Sequence, residues 1–386
     1  MRHGTLRKTP GSARGFASVV GGNHVTLLHD GERFFPAMLS AIEAAEREVL
    51  VEMYWFASDA TGRRFAEALA DRARRGVDVR VLYDAVGSWE TDEEMFEAMR
   101  AAGCQVEQFN PIAPWRKRFE LGVVNNRDHR KMVVVDGRTG FLGGLNLGDE
   151  WAPESDGGQG WREDVVRVQG PAVRQMRDLF DYTWSLLVGR HPLTTPPPPA
   201  TPEGESPVRV LATHYRRGRR AIRRAYLERI RGARRRICIT NSYFVPDGVI
   251  RRALAAAARR GVDVRVLLPG ESDIAAASYA GRRLYSWLLE RGVRLYEWQG
   301  SILHAKTAVI DGEWCAVGSY NLDYRSWRFN LESIVTIEDA SVAQAMERQF
   351  ERDLQRAGAV ELRHWRYRPL SERALEWFFY LFRKLI

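Results

Sequence analysis

The sequence is poor in cysteine and has no long apolar runs. Cys104, Cys238 and Cys315 are the three cysteines in 386 residues, and none of them forms a Cys-x-x-Cys pair. This number and spacing argue against a disulfide framework and a cysteine zinc site, and favour a reducing, cytoplasmic setting. No apolar run reaches the length of a membrane span, and the basic stretch 1–20 lacks the apolar core of a signal peptide. A soluble or peripheral protein is therefore expected.

Positive charge exceeds negative charge along the chain. There are 58 Lys and Arg against 49 Asp and Glu, which gives a formal net charge of +9. Such an excess favours an anionic partner, and both nucleic acid and an anionic membrane surface fit it. The length and the 45% hydrophobic content are sufficient for one large or two ordinary globular domains.

The chain contains an internal repeat. The octapeptide RGVDVRVL occurs at 75–82 and again at 260–267. Each copy follows a helix-like segment, and an apolar, β-rich run precedes that segment, so each half is predicted as strand, helix and buried parallel strand. The repeat therefore predicts an α/β protein made of two similar lobes.

A proline-rich stretch separates the two halves. The segment TTPPPPATPEGESP has the composition of an extended linker. The predicted organisation is a basic arm at 1–20, a first lobe at 21–188, a linker at 189–209, a second lobe at 210–362 and a basic amphipathic segment at 363–386. Two additional segments, 111–126 and 275–289, are candidates to cover a shared site.

The same polar residues recur in each half at the same relative positions. A histidine is followed by a lysine two residues later, by an Asp-Gly pair, by an asparagine 17 residues after the histidine, and by a glutamate before an apolar run. The residues are His129, Lys131, Asp136, Asn146 and Glu163 in the first half, and His304, Lys306, Asp311, Asn321 and Glu332 in the second.

This set suits chemistry at a phosphodiester. Two histidines can supply a nucleophile and a proton donor, while lysines and asparagine amides bind phosphate oxygens, so no metal or other cofactor is required. The glutamates are candidates to orient the histidine rings, with surface charges at strand starts as the alternative. The two aspartates belong to the predicted catalytic motif in a supporting part, because an Asp-Gly pair after a strand also signals a turn.

The two HxKxxxxDG motifs, each followed by GG/GS-x-N, resemble the phospholipase D superfamily. The flanking sequences NRDHRKMVVVDGRTGFLGGLNLGDEW and LHAKTAVIDGEWCAVGSYNLDYRSWRFNLE are similar to those of bacterial cardiolipin synthases of the short, peripheral type. The resemblance implies two α/β lobes about a pseudo-two-fold axis with one shared active site. It also implies a covalent phosphatidyl-histidine intermediate, with His129 as the nucleophile and His304 as the proton donor.

The resemblance further implies phospholipid substrates and peripheral binding to the inner face of the bacterial cell membrane, and we expect a monomer. Two segments suit an anionic bilayer: 216–236, which has eleven arginines, and 363–386, which is basic and aromatic. The alternatives are a solvated helix face or a nucleic-acid patch for the first segment, and docking onto the core for the second.

Three functions are compatible with the sequence. The leading one is transfer of a phosphatidyl group from one phospholipid to the hydroxyl of another, with release of glycerol. Phosphatidylglycerol is the favoured substrate. The second is a phosphodiesterase or nuclease that uses water as the acceptor and binds nucleic acid on its basic surface. The third is a non-catalytic phosphate-binding or lipid-binding protein. The motifs do not identify the acceptor.

Overall fold

The strands of the two halves form one mixed sheet. The computed structural model describes residues 18–112, 125–189, 196, 198–213 and 220–384, and fifteen strands occur in these residues. The first half contains β1 (Val20–His29), β2 (Glu48–Met53), β3 (Asp78–Asp84), β4 (Gln105–Phe109), β5 (Met132–Val135), β6 (Thr139–Gly143) and β7 (Asp164–Gln169). The second contains β8 (Ser206–Ala212), β9 (Arg236–Asn241), β10 (Asp263–Pro269), β11 (Arg294–Trp298), β12 (Lys306–Ile310), β13 (Trp314–Gly318), β14 (Ser333–Ile337) and β15 (Ala357–Ala359).

Helices lie between and after these strands. The first half contains α1 (Asp30–Glu43), α2 (Ala60–Arg74), α3 (Glu93–Ala101), a short 3₁₀ helix (Glu154–Asp156) and α4 (Val173–Val188). The second contains α5 (Ala221–Gly232), α6 (Gly248–Arg259), α7 (Ala275–Arg282), α8 (Tyr285–Leu289), α9 (Tyr324–Arg328), α10 (Ala340–Leu354), α11 (Leu362–Arg366) and α12 (Leu370–Leu381).

The order of strands across the sheet repeats about its centre. It runs β15-β11-β10-β9-β12-β13-β14-β8-β1-β7-β6-β5-β2-β3-β4, so β1 and β8 join the halves and the strands on either side mirror one another. In each half the repeated octapeptide leads into the central strand of a parallel triplet, β2-β3-β4 or β9-β10-β11. The predicted duplicated α/β fold is confirmed.

The strands are buried on both faces, and their side chains form three hydrophobic clusters. Alternate residues of β2 point in opposite directions: Val49 and Val51 pack with the helices of the first half, whereas Leu50 joins a cluster shared by both halves. The shared cluster also contains side chains of α4 and α10, and the outer helices of the second half pack on a separate cluster. Each half therefore has a core of its own and contributes to a common one.

The predicted linker ends earlier than expected. Strand β8 begins at Ser206, inside the range 189–209 that the sequence assigns to the linker. The prolines of this range hide the start of the strand. Pro207 is accommodated because it is the second residue of β8 and lies where the register between β1 and β8 is irregular. Residues 190–195 and 197 lie outside the described residues, as do residues 1–17 of the predicted N-terminal arm.

The two segments predicted to suit a membrane differ in the side that they expose. In the arginine-rich segment, Ile222, Tyr226 and Ile230 of α5 are buried in the core of the second half, so the apolar side of this helix faces inward. Residues 216–219 of that segment are not described. In the C-terminal segment, α12 packs against α7. No helix in the described part of the chain is long and apolar enough to cross a bilayer.

Candidate active site

The two predicted histidines lie where the halves exchange backbone hydrogen bonds. The His129 N–H donates to the carbonyl of Leu331 at 2.9 Å, and the His304 N–H donates to the carbonyl of Arg162 at 2.9 Å. Each contact is part of an isolated parallel bridge between the histidine segment of one half and the glutamate segment of the other. The bridges bring the two copies of the motif to one place.

The bridges also pair each histidine with the glutamate of the opposite half. Nδ1 of His129 lies 3.1 Å from both carboxylate oxygens of Glu332, and Nδ1 of His304 lies 2.7 Å from Oε2 of Glu163. The side chains of both glutamates are fully buried. A carboxylate at Nδ1 orients the ring and leaves Nε2 as the nitrogen that can react.

Both histidines line a single cavity of about 420 Å³. Asn146 and Asn321 line it too, so four of the ten predicted site residues reach this space directly. The remaining described residues that line it are Tyr54, Trp55, Arg127, Trp151, Trp161, Tyr243, Val245, Asp273, Ile274, Ala276, Ala277, Asp323, Arg325 and Asn330.

The two asparagines are held by their side-chain oxygens. Oδ1 of Asn146 accepts a hydrogen bond from the Trp55 N–H at 3.2 Å. Oδ1 of Asn321 accepts hydrogen bonds from the Ser242 hydroxyl at 3.0 Å and the Tyr243 N–H at 3.4 Å. The amide NH₂ group of each asparagine is therefore the end that can donate to an anion in the cavity.

The two lysines lie behind the histidines rather than in the cavity lining. The ammonium groups of Lys131 and Lys306 donate to the carbonyls of His129 and His304, respectively. Burial lowers the pKa of Lys131 to about 7 and that of Lys306 to about 8. An anion in the cavity would favour the charged form of both lysines.

The two aspartates of the motif do not reach the cavity. The carboxylate of Asp136 accepts hydrogen bonds from the N–H groups of residues 46–48, and that of Asp311 from those of residues 234–236. Each aspartate has a positive φ, 52° for Asp136 and 57° for Asp311, in a turn after β5 or β12. The structure thus places both aspartates outside the group of side chains at the cavity and gives them the turn position that the Asp-Gly pair signals, where each ties the end of one strand to the start of another.

The two glutamates have different electrostatic surroundings. Burial raises the pKa of Glu163 to about 8. Burial also acts on Glu332, but the proximity of His129, the hydrogen bonds from His129 and Ser319 and the charge of Lys131 outweigh it and keep the pKa of Glu332 below its ordinary value. Burial lowers the pKa of His129 to about 4 and moves the pKa of His304 in the same direction. Below about pH 8 the Glu163–His304 pair thus holds one proton, whereas Glu332 is ionised.

Aromatic residues that the sequence analysis did not single out surround the histidines. The Tyr54 ring is 4.9 Å from the His129 ring, and the rings of Trp151 and Trp161 are 5.2 and 5.8 Å from that of His304, measured between centroids. Tyr54 and Tyr243 follow β2 and β9 in the runs EMYWFA and NSYFV. Aromatics after equivalent strands of a repeat were the signal that could have revealed these two tyrosines.

No group of three or more His, Cys, Asp or Glu side chains that could hold a metal ion occurs in the described ranges. The lining of the candidate site combines imidazoles, carboxylates, amides, guanidinium groups and aromatic rings, and both halves contribute to it.

Comparisons with known proteins identify the family. A family model described as "Cardiolipin synthase, PLD-like domain" matches residues 38–184 and 226–354. Cardiolipin synthase from Geobacillus kaustophilus (strain HTA426) is 35% identical over 357 residues, which cover 92% of this chain and 70% of that protein. Cardiolipin synthase A from Pseudomonas entomophila (strain L48) is 37% identical over 339 residues, which cover 88% and 70%.

A solved structure supports the fold independently of sequence. Phosphatidylserine synthase from Haemophilus influenzae Rd KW20 matches with a TM-score of 0.69 over 94% of this chain and 95% of that one, at 14% identity. Together with the family model and the sequence relatives, this likeness confirms the predicted resemblance. The chain belongs to the cardiolipin synthase family of phospholipase D-like phosphatidyltransferases.

Proposed function

We propose that this protein makes cardiolipin by transferring a phosphatidyl group from one phosphatidylglycerol molecule to a terminal hydroxyl of another, with release of glycerol. The observation that carries the proposal is the crossed arrangement of His129 and His304, each held at Nδ1 by a glutamate of the other half and both lining one cavity. Two oriented imidazoles at one site supply a nucleophile and an acid–base group, which this exchange requires.

The first step forms a phosphatidyl-histidine. Nε2 of His129 attacks phosphorus and the bond from phosphorus to the glycerol oxygen breaks. The Nε2–H of His304 passes its proton to that oxygen while Nδ1 takes the proton that Glu163 shares with it, so the pair loses one proton in all. The unequal pairs favour these roles: burial lowers the pKa of His129 to about 4, so its ring is neutral, whereas the Glu163–His304 pair holds a proton. A neutral imidazole is a nucleophile, and a protonated pair is an acid.

The second step reverses the sequence with a new alcohol. His304, now without its Nε2 proton, takes one from the hydroxyl of the acceptor lipid, whose oxygen attacks phosphorus while the bond from phosphorus to Nε2 of His129 breaks. The amides of Asn146 and Asn321 donate to the phosphate oxygens, and the positive charge of Lys131 and Lys306 behind the histidines favours the negative charge of the transition state. We propose that these side chains replace a metal ion.

The test is a lipid assay with a chelator. Incubation with phosphatidylglycerol vesicles and EDTA should give cardiolipin and glycerol by mass spectrometry, and His129→Ala and His304→Ala should give neither. Formation of phosphatidic acid without cardiolipin would identify water as the acceptor and contradict the proposal. Loss of activity in EDTA, restored by a divalent cation, would contradict the metal-independent mechanism.

We also propose that the protein acts as a monomer, peripherally, on the inner face of the bacterial cell membrane. Its net charge of +9 complements anionic lipids, and its substrates are insoluble in water. Analytical ultracentrifugation of the full chain and fractionation of cells, with release of the protein by salt or carbonate, test the two parts separately.

A further inference from the structure

Helix α12 carries large apolar side chains on both sides: Phe379 and Tyr380 pack on the core of the second half, and others point away from the protein. Glu376 is the one buried residue of this fully described helix, and its carboxylate pairs with Arg368. Other large apolar side chains point outward: Leu370, Trp377, Phe378 and Leu381 are each at least half exposed. Their spacing places them along one side of the helix, and this stripe is called the outer face of α12.

This apolar surface is concentrated in one part of the molecule. Of the twelve large apolar side chains that are exposed among the described residues, seven lie between residues 367 and 382. Exposed apolar groups in a cluster mark a binding surface, whereas scattered ones need no explanation. The outer face of α12 is therefore expected to be covered by an apolar partner.

The surrounding charges favour an anionic partner. Residues 362–384 contain six Lys and Arg and two Glu, and one of these glutamates is the buried Glu376. The arginines of α11 are exposed, with 75% of the Arg363 side chain and 57% of the Arg366 side chain accessible, and they form surface ion pairs with Glu361 and Glu290. Exposed pairs of this kind are weak and leave the arginines able to interact with lipid phosphates. Aromatic and aliphatic side chains bordered by cations are typical of helices that lie in the surface of an anionic bilayer.

Helix α12 is coupled to the cavity through α7. The rings of Phe379 and Tyr279 stack with their centroids 5.6 Å apart. Ile274, which precedes α7, lines the cavity and is 44% exposed, and Ala276 and Ala277 of the same helix also line it. One helix therefore contacts α12 and forms part of the cavity wall.

We propose that the outer face of α12 inserts into the surface of an anionic bilayer and that α7 thereby holds the rim of the cavity at the boundary between lipid and water. The consequence for catalysis rests on the proposed function, whereas the insertion does not. A phospholipid could then move its headgroup to His129 and His304 while its acyl chains stay in the membrane.

Vesicle binding tests the insertion. The variant Trp377→Ser/Phe378→Ser should bind vesicles of phosphatidylglycerol and phosphatidylcholine at least about tenfold more weakly than the wild type in sedimentation assays, because it loses the two aromatic groups that would enter the bilayer. The matched control is Val19→Ser/Leu186→Ser, which removes side chains of similar exposure elsewhere and should bind as the wild type does. Wild-type protein should bind pure phosphatidylcholine more weakly, and binding that is equal in both double variants would overturn the proposal.

Activity separates insertion from a defect in the site. Trp377→Ser/Phe378→Ser should lose activity on vesicles in proportion to its binding and keep the wild-type kcat on a short-chain, monomeric phosphatidylglycerol. Equal losses on both substrates would overturn the coupling to membrane binding. Wild-type protein that binds vesicles but makes no cardiolipin would contradict the proposed function and leave the insertion standing.

Two further measurements test whether the rim of the cavity contacts the membrane and whether a second copy of the chain, rather than lipid, covers the outer face of α12. Because Cys104, Cys238 and Cys315 are buried, an environment-sensitive fluorophore can be placed on Phe378→Cys, Ile274→Cys or Leu186→Cys. The first two should report a less polar environment when vesicles are added, and the third should not. If the wild type is a dimer, the double variant a monomer, and vesicle binding the same in both, the outer face is an interface between two copies and the proposal is wrong.

Discussion

The two halves of the active site share the crossed histidine–glutamate arrangement but differ in the hydrogen bonds and electrostatics around it. The His129–Glu332 pair receives further hydrogen bonds at the carboxylate, from the Ser319 hydroxyl at 2.5 Å and the Asn330 amide at 3.2 Å. At the position equivalent to Ser319 the first half has Gly144, and Glu163 instead accepts from the Asp164 N–H at 2.9 Å. An additional donor stabilises the ionised form of one glutamate, and burial dominates for the other.

This difference indicates how the two copies of a duplicated motif can take different catalytic roles. If the two histidine–glutamate pairs had equal pKa values, both would hold a proton or both would lack one. A displacement at phosphorus needs one unprotonated nucleophile and one proton donor. Small changes beside the glutamates achieve this without moving the histidines. The halves also differ away from the cavity, where Arg130 in the first half corresponds to Ala305 in the second.

Replacing either histidine should have the largest effect on activity. The two replacements should differ in whether the first, covalent step still occurs. We expect His129→Ala and His304→Ala each to reduce phosphatidylglycerol transfer by about 10³- to 10⁴-fold. With a phosphatidyl p-nitrophenol ester, whose leaving group needs no proton, His304→Ala should still release p-nitrophenol in a burst and form a covalent adduct that intact-protein mass spectrometry detects. His129→Ala should do neither, and the opposite pattern would exchange the two roles.

Removing Arg130 should have the largest effect on stability. Its guanidinium is fully buried and donates to Glu52 at 3.2 Å, to Thr183 at 2.7 Å and to the Thr213 carbonyl at 2.7 Å. Arg130→Ala leaves the Glu52 carboxylate buried without this partner, so the free energy of unfolding should fall by about 3–5 kcal/mol in urea titrations. The exposed Arg63–Asp92 pair provides the control, and Arg63→Ala should give no measurable change.

The pH dependence should distinguish the two pairs. Below about pH 8 the Glu163–His304 pair keeps its proton, and above about pH 4 the His129 ring is neutral. We therefore expect kcat/KM for phosphatidylglycerol to be flat near pH 6 and to fall as the pH rises through about 8, because the acid is lost. For release of p-nitrophenol this alkaline decline should be absent, and the same decline with both substrates would assign it to another group, such as Lys306.

Exchanging the residues beside the glutamates should have the smallest effect. Ser319→Gly removes the hydroxyl that donates to Glu332 and should lower kcat by about tenfold or less. Gly144→Ser should cost more, because a Cβ at Gly144 would lie 2.5 Å from Oε2 of Glu163 and displace the partner of His304. Steady-state kinetics on both variants provide the comparison, and a larger loss for Ser319→Gly would contradict it.

Much of the fold could be predicted because the sequence pattern within each copy of the repeat spans only a short stretch of chain. The octapeptide, the glycines after the preceding helices and the apolar runs are read within a few tens of residues, and the parallel triplets follow from them. The start of β8 was missed because prolines masked it. The cores of the two halves are likewise encoded in continuous apolar strands, whereas the common core depends on contacts between distant segments.

The sequence pointed to the histidines, asparagines and glutamates that lie together in the structure, but not to the way in which histidines and glutamates pair. His129 and Glu163 are close in sequence, and the sequence is equally consistent with a glutamate holding the histidine of its own half or of the other. The choice depends on the backbone bridges at Leu331 and Leu303, whose partners are distant in the chain. Asp136 and Asp311 recur at the same spacing as the histidines, yet their carboxylates bind backbone N–H groups of a neighbouring strand, so a repeated spacing does not by itself separate structural from catalytic residues.

The crossed pairing also affects the protein before its synthesis is complete. While the second half is still on the ribosome, His129 has no Glu332 to orient it, and Glu163 has no imidazole to hold. We therefore expect a nascent or truncated chain to be unable to attack phosphodiesters. The reactive site forms only when both histidines and both glutamates have reached their places in the folded protein. Separately expressed halves should be inert until they are mixed.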